Sequence, residues 1–169
     1  VLKNPWPGML RTLYHDDQRY LDQYWSRFPG RYLAGDSARK DADGYVWILG
    51  RADDVLNIAG HRLASSEFES ALLSHKAVAE AAVIGIPDKI KGEVAKAFVV
   101  LSAGVEASDE LVKELKNHLR RELGPVASLK SVEFRPDLPR TTSGKLLRRL
   151  LRAEELGLDP GDLSSLDLD

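Results

Sequence analysis

The chain has 169 residues, with 24 basic and 26 acidic side chains and a formal charge of -2, a balance that gives no global attraction to nucleic acid or an anionic membrane. It has no cysteine, which excludes disulfides, thiolate nucleophiles and cysteine metal sites and permits a reducing compartment. No apolar run approaches the roughly 18 residues of a membrane span, so the expected location is cytoplasmic.

In chain order, the first residues form a Pro/Gly-rich phrase, Asn4-Pro5-Trp6-Pro7-Gly8, without an initiator methionine, and the expectation is a piece of a longer protein. Tyr20, Leu21, Tyr24, Trp25 and Phe28 recur at helical intervals after Asp16 and Asp17, which predicts a short amphipathic helix over 16–28. Arg31 to Arg39 and Tyr45 to Leu49 read as two strands around Asp41-Ala42-Asp43-Gly44, a hairpin whose Asp-Gly step suits positive φ. Past Gly50-Arg51-Ala52-Asp53-Asp54 a second unit is expected. It starts with a strand at Val55 to Ile58, a turn at Ala59-Gly60-His61, and a capping box Ser66-Glu67-Phe68-Glu69 opening a helix to about His75. The β-branched runs Val78 to Ile86 and Val94 to Leu101 are strands around the polar loop Pro87 to Gly92. Ser108 is the predicted N-cap of a helix that places Leu111, Val112, Leu115, Leu119 and Leu123 on one face and stops at Gly124-Pro125. Ser131 to Phe134 is a last strand. A closing helix directs Leu146, Leu147, Leu150 and Leu151 inward and spaces Lys145, Arg148, Arg149 and Arg152 as a basic stripe. The stripe suits either an acidic partner surface or, about equally, a solvated helix face or intramolecular pairing.

This order predicts an α+β fold in two layers, a small antiparallel or mixed sheet packed with helices and preceded by a helix and β-hairpin. The expected divisions are 1–52, the end of a larger domain; 53–158, a second domain; and 159–169, a mobile tail.

Pro139-Arg140-Thr141-Thr142-Ser143-Gly144-Lys145 places a cation where the closing helix is predicted to begin. The helix dipole disfavours a cation there by a few tenths of a kcal/mol to about 1, whereas an anion bound at the first-turn N–H groups would favour it. The alternative is a plain capped helix start. A P-loop is excluded, because Pro139 holds the place of the first glycine and Leu146 that of the Ser/Thr. The four histidines show no metal-ligand spacing. A nucleic-acid module fits poorly, since the aromatics concentrate in the first 50 residues, away from the basic stripe.

Tyr32-Leu33-Ala34-Gly35-Asp36, then Gly50 through Leu63, then Pro139 through Lys145 resembles the C-terminal motif series of the adenylate-forming superfamily. Within it, Trp6-Pro7-Gly8, Asp41 to Tyr45, Gly60-His61-Arg62-Leu63 and Gly85-Ile86-Pro87-Asp88 with Lys91-Gly92 are most similar to AMP-forming acetyl-CoA synthetases. The resemblance spans nearly the whole chain. It implies a two-step reaction, in which acetate or another short acid attacks ATP to give an acyl-adenylate and coenzyme A then displaces AMP.

By that resemblance Lys145 is the catalytic residue of the first step. Asp36 holds the ribose hydroxyls, and Arg51 and Arg62 meet the nucleotide. Ala59, Gly60 and Arg120 serve coenzyme A, with Ala59 in place of a frequent serine. Asp53 is the hinge about which the domain swings between the two steps. Leu73, His75 and Val78 correspond to a Mg2+ site built on main-chain oxygens. Lys145 corresponds to a lysine acetylated by GNAT-type acetyltransferases and restored by sirtuin-type deacetylases. Thr142 departs from a common arginine. The triphosphate loop, adenine pocket and acyl pocket are absent from these residues, so little activity is expected of the chain alone.

Overall fold

A computed structural model describes residues 1–52, 54–161, 163, 164 and 166, leaving out the side chain of Leu49. The chain forms two compact units, Val1–Asp53 and Asp54–Asp169.

The first unit holds helix α1 (Asp17–Tyr24) and the antiparallel pair β1 (Asp36–Lys40) and β2 (Val46–Arg51). Asp16 caps α1 by accepting the Arg19 N–H at 3.2 Å. The helix stops four residues short of Phe28. The Tyr24 carbonyl accepts the Leu33 N–H at 2.9 Å instead of a helical partner, and the aromatic residues beyond gather around Tyr32. Tyr24 stacks on Tyr32 at 5.1 Å, while Trp25 and Trp6 meet it edge-on. The carboxylate of Asp41 organises the β1–β2 turn, accepting from the Asp43 and Tyr45 N–H groups and the Trp47 indole. Those bonds, the indole's first, hold its carboxyl below the usual range.

The second unit is a five-stranded mixed sheet. It contains β3 (Val55–Ile58), β4 (His61–Ala64), helix α2 (Ser65–Leu73), β5 (Val78–Asp88), β6 (Gly92–Leu101), helix α3 (Asp109–Leu123), β7 (Leu129–Phe134) and helix α4 (Arg148–Leu156). The strands run β4-β3-β6-β5, with β7 parallel to β6. Ser108 and Gly124 bound α3 as predicted; the Ser108 hydroxyl accepts the Leu111 N–H, and Gly124 has φ 86°.

The fold class agrees with the sequence reading, but the two-layer expectation does not. Val83, Ala95, Ala97 and Val99 pack with Phe68, Leu72, Leu115 and Leu119 of α2 and α3. Ala82, Ile84, Ile86, Val94 and Phe98 pack with Leu138 and Leu151, the latter from α4. Strands β5 and β6 are apolar at odd and even positions alike, so both faces of the sheet need a cover. The predicted capping box is also shifted. α2 opens after Ala64, whose N–H is accepted by Glu67 at 2.8 Å. An alanine has no side-chain acceptor, so only the returning half of the box exists. Glu69 is buried and used elsewhere.

Under α4 lies a charged group on the sheet. Lys96, 9% exposed, pairs with Glu133 at 2.7 Å and with Glu155. Arg135 bonds Glu133 at 2.7 Å and Glu154 at 2.9 Å. Both cations lie over the Phe98 ring. Burial pushes the Lys96 ammonium down, but its bonds to Glu133 and Glu155 outweigh this and raise it. The Lys96 bond holds the Glu133 carboxyl below its usual range, against desolvation. A depressed carboxylate contributes stability that is full above the unfolded value of about 4.3 and is lost as pH falls through the folded one. In Lys96→Met the Glu133 depression shrinks, so the urea midpoint should fall less between about pH 6 and pH 3 than in the parent chain. Parallel midpoint curves for the two proteins would refute this.

Candidate functional site

In the first unit, the β1–β2 register sets Asp36 opposite Arg51, with guanidinium and carboxylate 3.6 Å apart and both largely open to water. The same guanidinium donates to the Ala34 carbonyl at 3.4 Å. Gly35 lies between them at φ 79°, and a Cβ there would sit 2.7 Å from the guanidinium. Glycine is required for the conformation and for the passage of Arg51. Two sequence-predicted residues are thereby brought together, with a carboxylate able to accept paired hydroxyls beside a fork able to bind phosphate.

In the second unit, β3 and β4 are joined by the two-residue turn Ala59–Gly60. Both residues are left-handed, with φ of 51° and 83°, as a tight hairpin turn requires. The space around Gly60 is open. Arg62 pairs with Asn57 across the hairpin and is exposed. Among the described residues its guanidinium has no hydrogen-bond or ion-pair partner.

The lysine motif is a second tight hairpin. Thr141 accepts the Lys145 N–H through its hydroxyl at 3.0 Å and donates its own N–H to the Lys145 carbonyl at 2.8 Å. Arg140 bridges Leu146, Gly144 turns at φ 80°, and the Leu147 N–H reaches the Pro139 carbonyl. Arg140 braces the loop, with one guanidinium nitrogen on the Gly144 carbonyl at 2.9 Å and the other on Glu80 at 2.6 Å.

This corrects the expected place of Lys145. It is not in the first turn of a helix, because α4 begins at Arg148 behind Leu147, which makes no side-chain cap, and the Lys145 N–H is already bonded. The helix-dipole argument therefore does not apply to it. What the hairpin provides is an exposed ammonium with no hydrogen-bond or ion-pair partner among the described residues.

The basic stripe is likewise resolved in favour of intramolecular pairing. Arg148 bonds Glu69 and Asp54, Arg149 donates to the Pro160 carbonyl, and Arg152 lies 3.7 Å from Glu93. A free docking surface for an acidic partner is not what these arginines form.

Arg120 is exposed near the end of α3 and lines a groove of about 340 Å³ with Lys113, Lys116, Asn117, Ser128 and Leu129. Lys113 and Lys116 were missed from the sequence, although their spacing from Arg120 along one helix face was the available signal. Of the expected metal position, Leu73 and Val78 have apolar side chains and both imidazole nitrogens of the buried His75 are engaged. One accepts the Ala77 N–H at 3.3 Å and the other lies 3.1 Å from Glu114. The His75 carbonyl accepts the Val78 N–H. These side chains do not fit a metal, and among the described residues no group of three His, Asp or Glu could hold one. Asp53, the expected hinge, and residues 162, 165 and 167–169 of the expected tail lie outside the described residues. No helix among the described residues is long and apolar enough to cross a membrane.

Residues 67–145, ending on Lys145, match the AMP-binding enzyme C-terminal domain, and this stretch of the chain belongs to that family. Its relatives narrow the likeness to acetyl-CoA synthetases. The acetyl-coenzyme A synthetase of Pyrobaculum aerophilum is 58% identical over 167 residues, 99% of this chain and 25% of that protein. That of Methanothrix thermoacetophila is 53% identical over 170 residues, 98% of this chain and 26% of the relative. The acetoacetyl-CoA synthetase from Streptomyces lividans matches in structure with a TM-score of 0.79 and 30% identity, over 98% of this chain and 25% of that one. The chain thus spans about a quarter of the length of the curated relatives it matches.

Proposed function

We propose that the chain is the C-terminal portion of an AMP-forming acetate–CoA ligase. Residues 1–52 would close a large adenylating domain, 53–158 would be the movable domain hinged at Asp53, and 159–169 a tail. In the first step Lys145 contacts the carboxylate of acetate and the α-phosphate of ATP, and its ammonium offsets charge developing as pyrophosphate leaves. Asp36 accepts the ribose hydroxyls, with Arg51 and Arg62 on the nucleotide. In the second step the Ala59–Gly60 turn lines the path of the pantetheine arm and Arg120 meets the phosphorylated end of coenzyme A. Mg2+ at Leu73, His75 and Val78 would have to be held through main-chain oxygens. The ammonium of Lys145, exposed and without a partner among the described residues, is also open to a GNAT-type acetyltransferase and a sirtuin-type deacetylase. Acetylation would remove the charge and with it the first step.

The 58% identity to the Pyrobaculum aerophilum protein is the observation that supports this reading most. The likeness to an acetoacetyl-CoA synthetase at 30% identity keeps a longer acid as the second reading. A chimera in which this chain replaces the matching quarter of the Pyrobaculum aerophilum protein tests both. It should form acetyl-CoA from acetate, ATP and coenzyme A, whereas the 169-residue chain alone should form none. Turnover by the chain alone, or a folded but inert chimera, would overturn the proposal.

A further inference from the structure

The Ala59–Gly60 turn has a conformational problem. Gly60 enters the left-handed region freely, but Ala59 does so with a Cβ and no polar side chain to bond locally, which strains its backbone. Such a residue persists where its surroundings hold it.

The holding group is the β5–β6 connection. The Ala59 N–H donates to the Lys91 carbonyl at 2.9 Å, and Ile58 pairs with Gly92. Gly92 turns at φ 76°, where the site of a Cβ would be 3.6 Å from the Asn57 carbonyl. The three-residue loop 89–91 is shaped by one carboxylate. A single Asp88 oxygen accepts the N–H of Ile90 at 3.0 Å and of Lys91 at 2.9 Å. A charged acceptor taking two backbone donors fixes a turn more strongly than a neutral one. That oxygen fixes the peptide preceding Lys91, and the pairing of Gly92 with Asp88 and Ile58 fixes the one that follows, so the Lys91 carbonyl facing Ala59 is set from both sides. The Lys91 bond first, then that of Ile90, holds the Asp88 carboxyl below its usual range, in keeping with this geometry.

We infer that Asp88 is a positioning residue for the Ala59–Gly60 turn, acting through the Lys91 main chain to keep the turn in the shape that admits the thiol-bearing arm of coenzyme A. The ligand in this inference rests on the function proposed above; the clip itself does not. Because the loop is exposed, loss of the carboxylate leaves the Ile90 and Lys91 N–H groups to water, and the fold persists. The effect falls on the shape of the turn.

Amide exchange by NMR on the 169-residue chain tests the clip. In Asp88→Ala the Ala59 amide should exchange about tenfold faster with the melting temperature nearly unchanged. Asp88→Asn keeps an oxygen in place and should stay within about twofold of the parent. In the chimera, Asp88→Ala should raise KM for coenzyme A about tenfold, with ATP–pyrophosphate exchange unaffected, and Asp88→Asn should restore it. An unchanged Ala59 amide in Asp88→Ala, or an asparagine variant as impaired as the alanine one, would sink the clip. Gly60→Leu separates the two claims. If it too leaves the coenzyme A step intact, the assignment of the turn to coenzyme A fails, whatever the amides show. If Gly60→Leu abolishes that step and Asp88→Ala leaves KM alone, the positioning role fails and the assignment stands.

Discussion

Lys145→Ala in the chimera is expected to lower acetate-dependent ATP–pyrophosphate exchange by about 10²–10³-fold, the usual cost of deleting one group that faces charge developing in a water-excluded transition state. Thioester formation from preformed acetyl-adenylate should be nearly unaffected, since the second step as proposed does not use this ammonium. Stability should not change either. The side chain is exposed and, among the described residues, makes no bond, and the hairpin is held by the backbone of residue 145 together with Thr141 and Arg140. Substitutions at such positions lie within about 0.5 kcal/mol of neutral. The separation matters, because a folding defect would lower both half-reactions together. Lys145→Gln, which imitates acetylation, should behave like the alanine variant. Lys145→Arg keeps the charge but replaces a compact ammonium by a wider fork, so a partial loss is expected. A loss of both half-reactions in Lys145→Ala would remove the residue from its proposed role.

What was legible in the sequence follows a physical division. Apolar runs with β-branched residues marked β5 and β6, and Ser108 and Gly124 marked the ends of α3, because these signals act within a few residues of the structure they produce. The lysine motif was found, but its local structure was misread. Leu146, Leu147, Leu150 and Leu151 fit a helical period, yet the Thr141 hydroxyl captured the Lys145 N–H and delayed the helix to Arg148. Likewise Ser66 and Glu69 satisfied a capping pattern that Ala64 and Glu67 took over in part. Glu69 was unavailable, because it accepts from Val83 at 3.0 Å and pairs with Arg148, 79 residues further along the chain. Pairings at that separation leave no local periodicity. The basic stripe was ambiguous for the same reason, its partners Asp54, Glu69 and Glu93 lying far from it in sequence.

Arg148→Met is expected to destabilise the chain by about 3–5 kcal/mol, the cost of breaking a buried pair and leaving its partner charged. Glu69 is 7% exposed, and Arg148 meets it with two bonds, 2.7 Å and 2.6 Å, while a third nitrogen reaches Asp54 at 3.1 Å. Without the guanidinium, the Glu69 carboxylate would keep, among the described residues, only the Val83 N–H within the sheet. Against a total stability of about 5–15 kcal/mol, that loss should appear as a large drop in the urea midpoint. Glu69→Gln in the Arg148→Met background removes the stranded charge, and the double variant should recover part of the loss. If the two substitutions simply add, the pair is not coupled and the argument fails. The pair joins four places in the chain: the residue after Asp53, helix α2, strand β5 and the start of α4 directly behind the lysine hairpin. A guanidinium bonded to all but β5, and through Glu69 to that strand as well, ties the hairpin's exit to the beginning of the second unit. If the domain carries Lys145 to and from a reaction centre as proposed, it needs such a connection, because a lysine that moved independently of its domain would lose the orientation on which the proposed transition-state effect depends.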